Sequence, residues 1–165
     1  MRLLPLLIAS AAAAADLPVD SSFAEVYTFG ACYHVVRGEP WNEFNPGLGI
    51  GLGTIVGEHV DLRISAGAYQ DSFGEMARFL MPGGAYVIGS RTDWHGTIGL
   101  NIGYMVGSGF TGIGILPVAS FGFDRVELCL TGIPTAWSRE DDHNGRVYPA
   151  TGLVAAFLRV RVASW

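Results

Sequence analysis

The sequence is poor in charge. Only 15% of its 165 residues are Asp, Glu, Lys or Arg, against about a quarter in an average chain. Ten basic and fifteen acidic residues leave a net charge of −5. That excludes a basic nucleic-acid binder, because no positive field exists to attract a polyanion. Long apolar runs are missing too. Mean hydropathy is high at +0.34, yet no interior run of about 18 apolar residues is present to form a spanning helix. Cysteine is scarce. Cys32 and Cys129 stand 97 positions apart, each in an apolar run, and read as two buried thiols, although an exported chain could pair them. Neither has a Cys or His at metal-ligand spacing, so no metal site is expected. The Gly-x-Gly stretches lack the Lys-Ser/Thr and the strand–helix setting of a phosphate loop, and no cofactor is expected. Glycine, in contrast, is abundant at 23 residues, and half the chain is apolar. One domain of such a chain is either a soluble β-sandwich or a closed membrane β-barrel.

The first residues have the grammar of a secretory signal. Met1-Arg2 is a short positive start, Leu3 to Ile8 an apolar run, and Ser10 with Ala11 to Ala15 the small residues of a cleavage site. Residues 1–15 are therefore expected to be a cleaved signal peptide, and residues 16–165 the exported domain.

That domain divides into eight alternating apolar stretches: Phe23–Val36, Gly47–Val56, Val60–Asp71, Arg78–Ser90, Gly96–Val106, Ile115–Phe123, Val126–Ile133 and Thr151–Val162. In the second, Leu48, Ile50 and Leu52 alternate with Gly47, Gly49, Gly51 and Gly53. In the third, Leu62, Ile64, Ala66 and Ala68 oppose Arg63, Ser65, Gly67, Tyr69 and Asp71. In the last, Val154, Ala156, Leu158, Val160 and Val162 oppose Phe157, Arg159 and Arg161, and Trp165 shares the parity of the latter set. In the first, unbroken alternation puts Tyr27, Phe29, Tyr33 and Val35 on one face, and Val26, Thr28, Gly30, Cys32 and His34 on the other. One face is apolar throughout. The other is small and almost uncharged, unlike the charged outer face of a soluble sheet. Small residues fit the bore of a narrow barrel, and an apolar exterior fits lipid. Closure is required there, since an open edge would leave backbone groups unpaired in hydrocarbon. The pattern predicts an all-β, eight-stranded antiparallel up-and-down transmembrane β-barrel.

If Gly57–His59 is a short turn, the loops Arg37–Asn45 and Phe73–Ala77 share the opposite rim. His34, Asp71 and Ser72 then reach one mouth of the bore, with His34 and Asp71 on its inner face. Aiming Ser72 at the same point requires a bulge or a strand end. A base, a carboxylate and a hydroxyl are the parts of acyl transfer. His59, His95 and His143 fall in turns or at strand ends and are expected to be solvated.

Several motifs in order resemble the PagP-type lipid A palmitoyltransferases, outer-membrane enzymes built on an eight-stranded barrel. They are Tyr33-His34, Trp41-Asn42-Glu43 before Gly47-Leu48-Gly49-Ile50-Gly51, Ala68-Tyr69-Gln70-Asp71-Ser72-Phe73, Leu116-Pro117-Val118-Ala119-Ser120, and Ile133-Pro134. The resemblance implies transfer of a palmitoyl or similar chain from a glycerophospholipid to lipid A. His34, Asp71 and Ser72 match the family's reactive trio, and Pro117 and Pro134 match prolines that interrupt strand pairing for lateral lipid entry. It also implies an inner slot that measures acyl length, with Gly83, Gly84 and Ala85 as candidates for its floor. The implied partners are the donor phospholipid and the acceptor lipid A, met by a monomer embedded in the outer membrane. The chain departs from the family in three places. The stretch from Asp16 to Phe23 is too short for the family's N-terminal helix, the first outer loop is shorter, and Gly107-Ser108-Gly109 replaces charged residues. Two other functions fit the same pattern: a catalytically silent outer-membrane barrel with a structural or adhesion role, and a soluble periplasmic lipid-binding barrel.

Overall fold

The computed structural model describes residues 19–35, 41–107, 110–133, 141–143, 146–148 and 152–165. The expected signal peptide and Pro134 lie outside the described residues, as do the side chains of residues 141–143, His143 among them. Among the described residues there are ten strands: β1 (Val19–His34), β2 (Phe44–Val56), β3 (Val60–Gln70), β4 (Met76–Gly89), β5 (Trp94–Gly107), β6 (Phe110–Phe123), β7 (Val126–Ile133), β8 (Asp141–His143), β9 (Arg146–Tyr148) and β10 (Leu153–Ser164). Eight of them close into an antiparallel barrel in the order β1-β10-β7-β6-β5-β4-β3-β2. The short pair β8–β9, which the periodicity did not predict, forms its own two-stranded sheet between β7 and β10. Several strands also run past their predicted limits. β6 begins at Phe110 rather than Ile115, and β2 at Phe44 rather than Gly47.

Alternation explains what faces where. Leu48, Ile50, Leu52, Ile64, Ile98, Leu128 and Leu158 lie outside and exposed, an apolar band suited to a hydrocarbon solvent. Aromatic residues collect towards the strand ends. Trp94 stacks on Phe121 at 5.1 Å beside Phe123 at one rim, and Tyr33, Phe44 and Phe110 are exposed at the other. The barrel is of the transmembrane type. Its rims differ. One carries the short connections 57–59, 90–93 and 124–125, and the other the connections after His34, Gln70, Gly107 and Ile133. Glycines on the inner face make room for large neighbours. A Cβ at Gly51 would meet the Tyr27 hydroxyl at 2.8 Å, and one at Gly67 the Phe79 ring at 2.7 Å.

Two register shifts correct the simple parity. Between Phe29 and Ala31, β1 slips against both β2 and β10, so Gly30 is a bulge and the faces exchange there. Tyr27 is buried, Phe29 packs against the core, and Cys32 and His34 are buried with them, whereas Tyr33 and Val35 point outward. Unbroken alternation had set Tyr27 and Phe29 with Tyr33 and Val35. The second shift leaves Val162 without a partner between Arg161 and Ala163. It turns Trp165 onto the outward face, against the parity expected from Phe157.

The bore has two unlike halves. Towards the short-turn rim it is filled by charge. Arg63 pairs with Glu25 at 3.5 Å and Asp61 at 3.2 Å, and Arg159 with Glu127 and, at 3.8 Å, Glu25. Arg91 and Arg161 approach Asp61 at 2.7 and 3.4 Å, and the Arg161 guanidinium lies 4.4 Å above the Phe23 ring. His95, expected to be solvated, is buried here, 3.6 Å from Glu127 and 2.9 Å from the Asp93 carbonyl. The inner face is thus far more charged than its small residues suggested. Towards the long-loop rim the bore is apolar and open.

Candidate functional site

The open half contains a cavity of about 590 Å³, within the roughly 300–1,000 Å³ of small-molecule sites. Its deep end meets Tyr27, Ser65, Met81, Asn101, Val118 and Phe157, and its wall includes Phe29, Phe79 and Met105. Tyr27, Val118, Cys129 and Phe157 pack together as a core layer that separates it from the charged half. None of the three residues proposed as a floor, Gly83, Gly84 and Ala85, lines it. The Asn101 carboxamide occupies the space beside Gly83, so the cavity stops above that glycine, at Met81.

At the rim the cavity meets His34, Trp41, Asn45, Ser72 and Phe73. β1 brings His34 and Cys32 to the same inner face because the Gly30 bulge precedes them. β3 ends at Gln70, so Asp71 and Ser72 enter a turn rather than alternate, and both are buried. That strand end meets the requirement for aiming Ser72 inward. The turn is tied by Asp71. Its Oδ1 accepts from the Phe73 and Glu75 N–H groups at 2.9 and 2.8 Å, and its N–H donates to the Glu75 carbonyl at 2.7 Å. The loop before β2 locks onto this turn. The Asn42 side chain donates to the Asp71 carbonyl at 3.0 Å, and the Asn42 N–H to the Ser72 carbonyl at 2.9 Å.

The imidazole of His34 stacks on Trp41 with centroids 4.6 Å apart and planes 10° apart, and Trp41 leans on Phe73 at 5.7 Å. Glu43 accepts from the His34 N–H at 3.4 Å. Between the imidazole and the hydroxyl lies Cys32, its Sγ 3.9 Å from His34 Nδ1 and 3.9 Å from Ser72 Oγ. The two predicted residues are therefore brought together through a third that sequence reasoning had set aside. The Cys32-x-His34 spacing was its only signal, and the intact parity of that segment carried it. Cys32 and Cys129 are both free and buried, as two thiols rather than a pair. Among the described residues no group of three or more His, Cys, Asp or Glu is placed to hold a metal.

Among the described residues the wall of this half is incomplete. β6 pairs with β5 along its whole length, Phe110 to Phe123, but with β7 only from Val118 to Phe123. Among the described residues, Phe110 to Pro117 has no strand on its β7 side. Pro117 stands where pairing stops, and its carbonyl is taken by the Thr131 hydroxyl at 2.8 Å. A proline has no N–H to extend a ladder. Ile113 and Ile115 on β6, exposed on the outer surface, and Thr131, Gly132 and Ile133 on β7 all line the cavity. Among the described residues the cavity is therefore open sideways through this gap. Next to it, Val35, Pro117, Ile133 and Val154 border a second hollow of about 390 Å³.

Two solved barrels are similar to this chain over most of its length. A de novo designed transmembrane β-barrel aligns with 88% of this chain and 98% of its own, at 13% identity and a TM-score of 0.49. The N-terminal β-barrel domain of Pseudomonas aeruginosa OprF aligns with 89% of this chain and 98% of its own, at 13% identity and a TM-score of 0.48. No family model and no curated protein matches the sequence.

Proposed function

We propose that this barrel is an outer-membrane acyltransferase that moves a palmitoyl or similar chain from a glycerophospholipid to lipid A. One observation carries the reading: an apolar cavity that, among the described residues, is open sideways between β6 and β7 ends at a buried imidazole and a buried hydroxyl. A lipid already in the bilayer needs a lateral door, a greasy slot for its tail and acid–base groups at its ester. The cavity offers each in that order. Pro117 marks the door, and Pro134, outside the described residues, is assigned to its far side by the family resemblance. Each CH₂ buried in the slot stabilises the bound tail by about 0.8 kcal/mol, so a long chain holds its ester at the rim without strong headgroup contacts.

His34 is the general base towards the acceptor hydroxyl. Its ring is held flat by Trp41. Ser72 supplies a hydroxyl to the ester carbonyl, where negative charge develops. Asp71 serves chiefly by fixing the turn that presents Ser72, since its Oδ1 is engaged by backbone N–H groups. The enzyme works as a monomer, with the long-loop rim facing out and the donor entering from the membrane.

Mass spectrometry of lipid A from cells with and without the protein is the test. Native protein adds one acyl chain, and H34A and S72A add none although they assemble in the membrane. Native lipid A unchanged by the native protein would sink the enzyme reading and leave a silent barrel. Release of the protein by carbonate washing would remove it from the membrane altogether.

A further inference from the structure

We infer that Cys32 is the group that first takes the acyl chain, through a thioester, before the chain passes to the acceptor hydroxyl. The inference rests on the acyl-transfer reading and deepens it. Cys32 is buried, lines the cavity, and is placed between the two reactive side chains, 3.9 Å from His34 Nδ1 and 3.9 Å from Ser72 Oγ. A thiol is a stronger nucleophile than a hydroxyl once a neighbouring base takes its proton, and such contacts are often loose before substrate binds. At rest the thiol donates to the Asn42 carbonyl at 3.6 Å. That carbonyl also accepts from the Asn45 carboxamide at 3.5 Å. The opposite end of the Asn45 side chain, Oδ1, is buried without a hydrogen-bond partner in a residue that lines the same cavity mouth. An acceptor left unsatisfied beside a nucleophile costs free energy unless a ligand donor meets it. The hydroxyl of the acceptor has that chemistry.

The two steps balance without any further reagent. His34 takes the proton of the Cys32 thiol as sulfur attacks the ester carbonyl of the donor, and Ser72 donates a hydrogen bond to the oxyanion. The carbon–oxygen bond to glycerol breaks, His34 returns the proton to the glycerol oxygen, and lysophospholipid leaves. The acceptor hydroxyl then gives its proton to His34 and attacks the thioester. The carbon–sulfur bond breaks, and the proton goes back to sulfur.

Intact mass of the full chain in detergent, with a dipalmitoyl glycerophospholipid and no lipid A, tests the step. The expected result is one added acyl chain, removed by neutral hydroxylamine, present in C129A, absent in C32A and formed at least about 100-fold more slowly in H34Q. Adding lipid A discharges it. A heat-dependent shift in gel mobility confirms that each variant is a folded barrel. C32A transferring acyl chains to lipid A within a few-fold of the native rate would overturn the inference, as would a hydroxylamine-resistant adduct on Ser72. Transfer to lipid A with no thioester overturns it while the acyltransferase reading survives. A thioester that lipid A fails to discharge upholds it and removes lipid A as the acceptor. Neither adduct nor transfer from the native protein ends both.

Discussion

At the scale of single residues, burial makes the rim groups consequential. His34 is 3% exposed and Asp71 1%, so neither is an ordinary solvated loop residue. A buried imidazole acts as a base only while it is neutral. The transfer rate is expected to fall on the acid side, and a flat rate from pH 5 to 8 would deny His34 the role of base. Asp71 gives a different expectation. D71N keeps an oxygen for the Phe73 and Glu75 N–H groups, whereas D71A leaves both unmet at about 1 kcal/mol or more each. D71N should therefore retain more transfer than D71A. The reverse order in a rate assay would give the carboxylate charge a direct chemical part.

At the scale of elements, β4 and β6 decide what the slot admits. Met81 on β4 is buried at the deep end of the cavity. M81A removes its thioether and lowers the floor towards Asn101. The transferred chain should lengthen by about two carbons, a gain near 1.6 kcal/mol at 0.8 kcal/mol per CH₂, readable in the mass of the modified lipid A. An unchanged chain length would place the floor elsewhere. Among the described residues, β6 has an edge left unpaired by a short partner. β7 has only eight residues, and its ladder to β6 begins at Val118, just past Pro117. The door between them is a consequence of strand length and of one missing N–H.

At the scale of the whole molecule, the barrel is closed at one half by ion pairs and left hollow at the other. Glu25, Asp61, Glu127, Arg63 and Arg159 are all buried, and removing one partner strands another in a low-dielectric bore. R159A should lower unfolding stability by about 3–5 kcal/mol, seen as an earlier urea midpoint, while the rim chemistry of the folded fraction stays near native. An unchanged midpoint would mean that water or a new partner satisfies Glu127. The division also gives the molecule a direction. The charged plug lies beside the short turns and the cavity beside the long loops, so the hollow half belongs to one rim only.

Strand number, the lipid-facing residues and the inner glycines were legible in the sequence because a pleated strand alternates with period two, and that period is local. That His34 and Ser72 come to one rim was legible for the same reason: strand ends on one rim come from counting turns. The Gly30 bulge was not, since a register slip is set by the two neighbouring strands and not by the residues of β1. Without it Tyr27 and Phe29 fall on the wrong face. The buried network of Arg63, Arg159, Glu25 and Glu127 was invisible because each charge looks isolated until closure brings four strands around one axis. Cys32 between His34 and Ser72, and the gap beside Pro117, likewise belong to the tertiary structure. Each depends on where β1, β3, β6 and β7 end relative to one another in space, and no single stretch of chain encodes that.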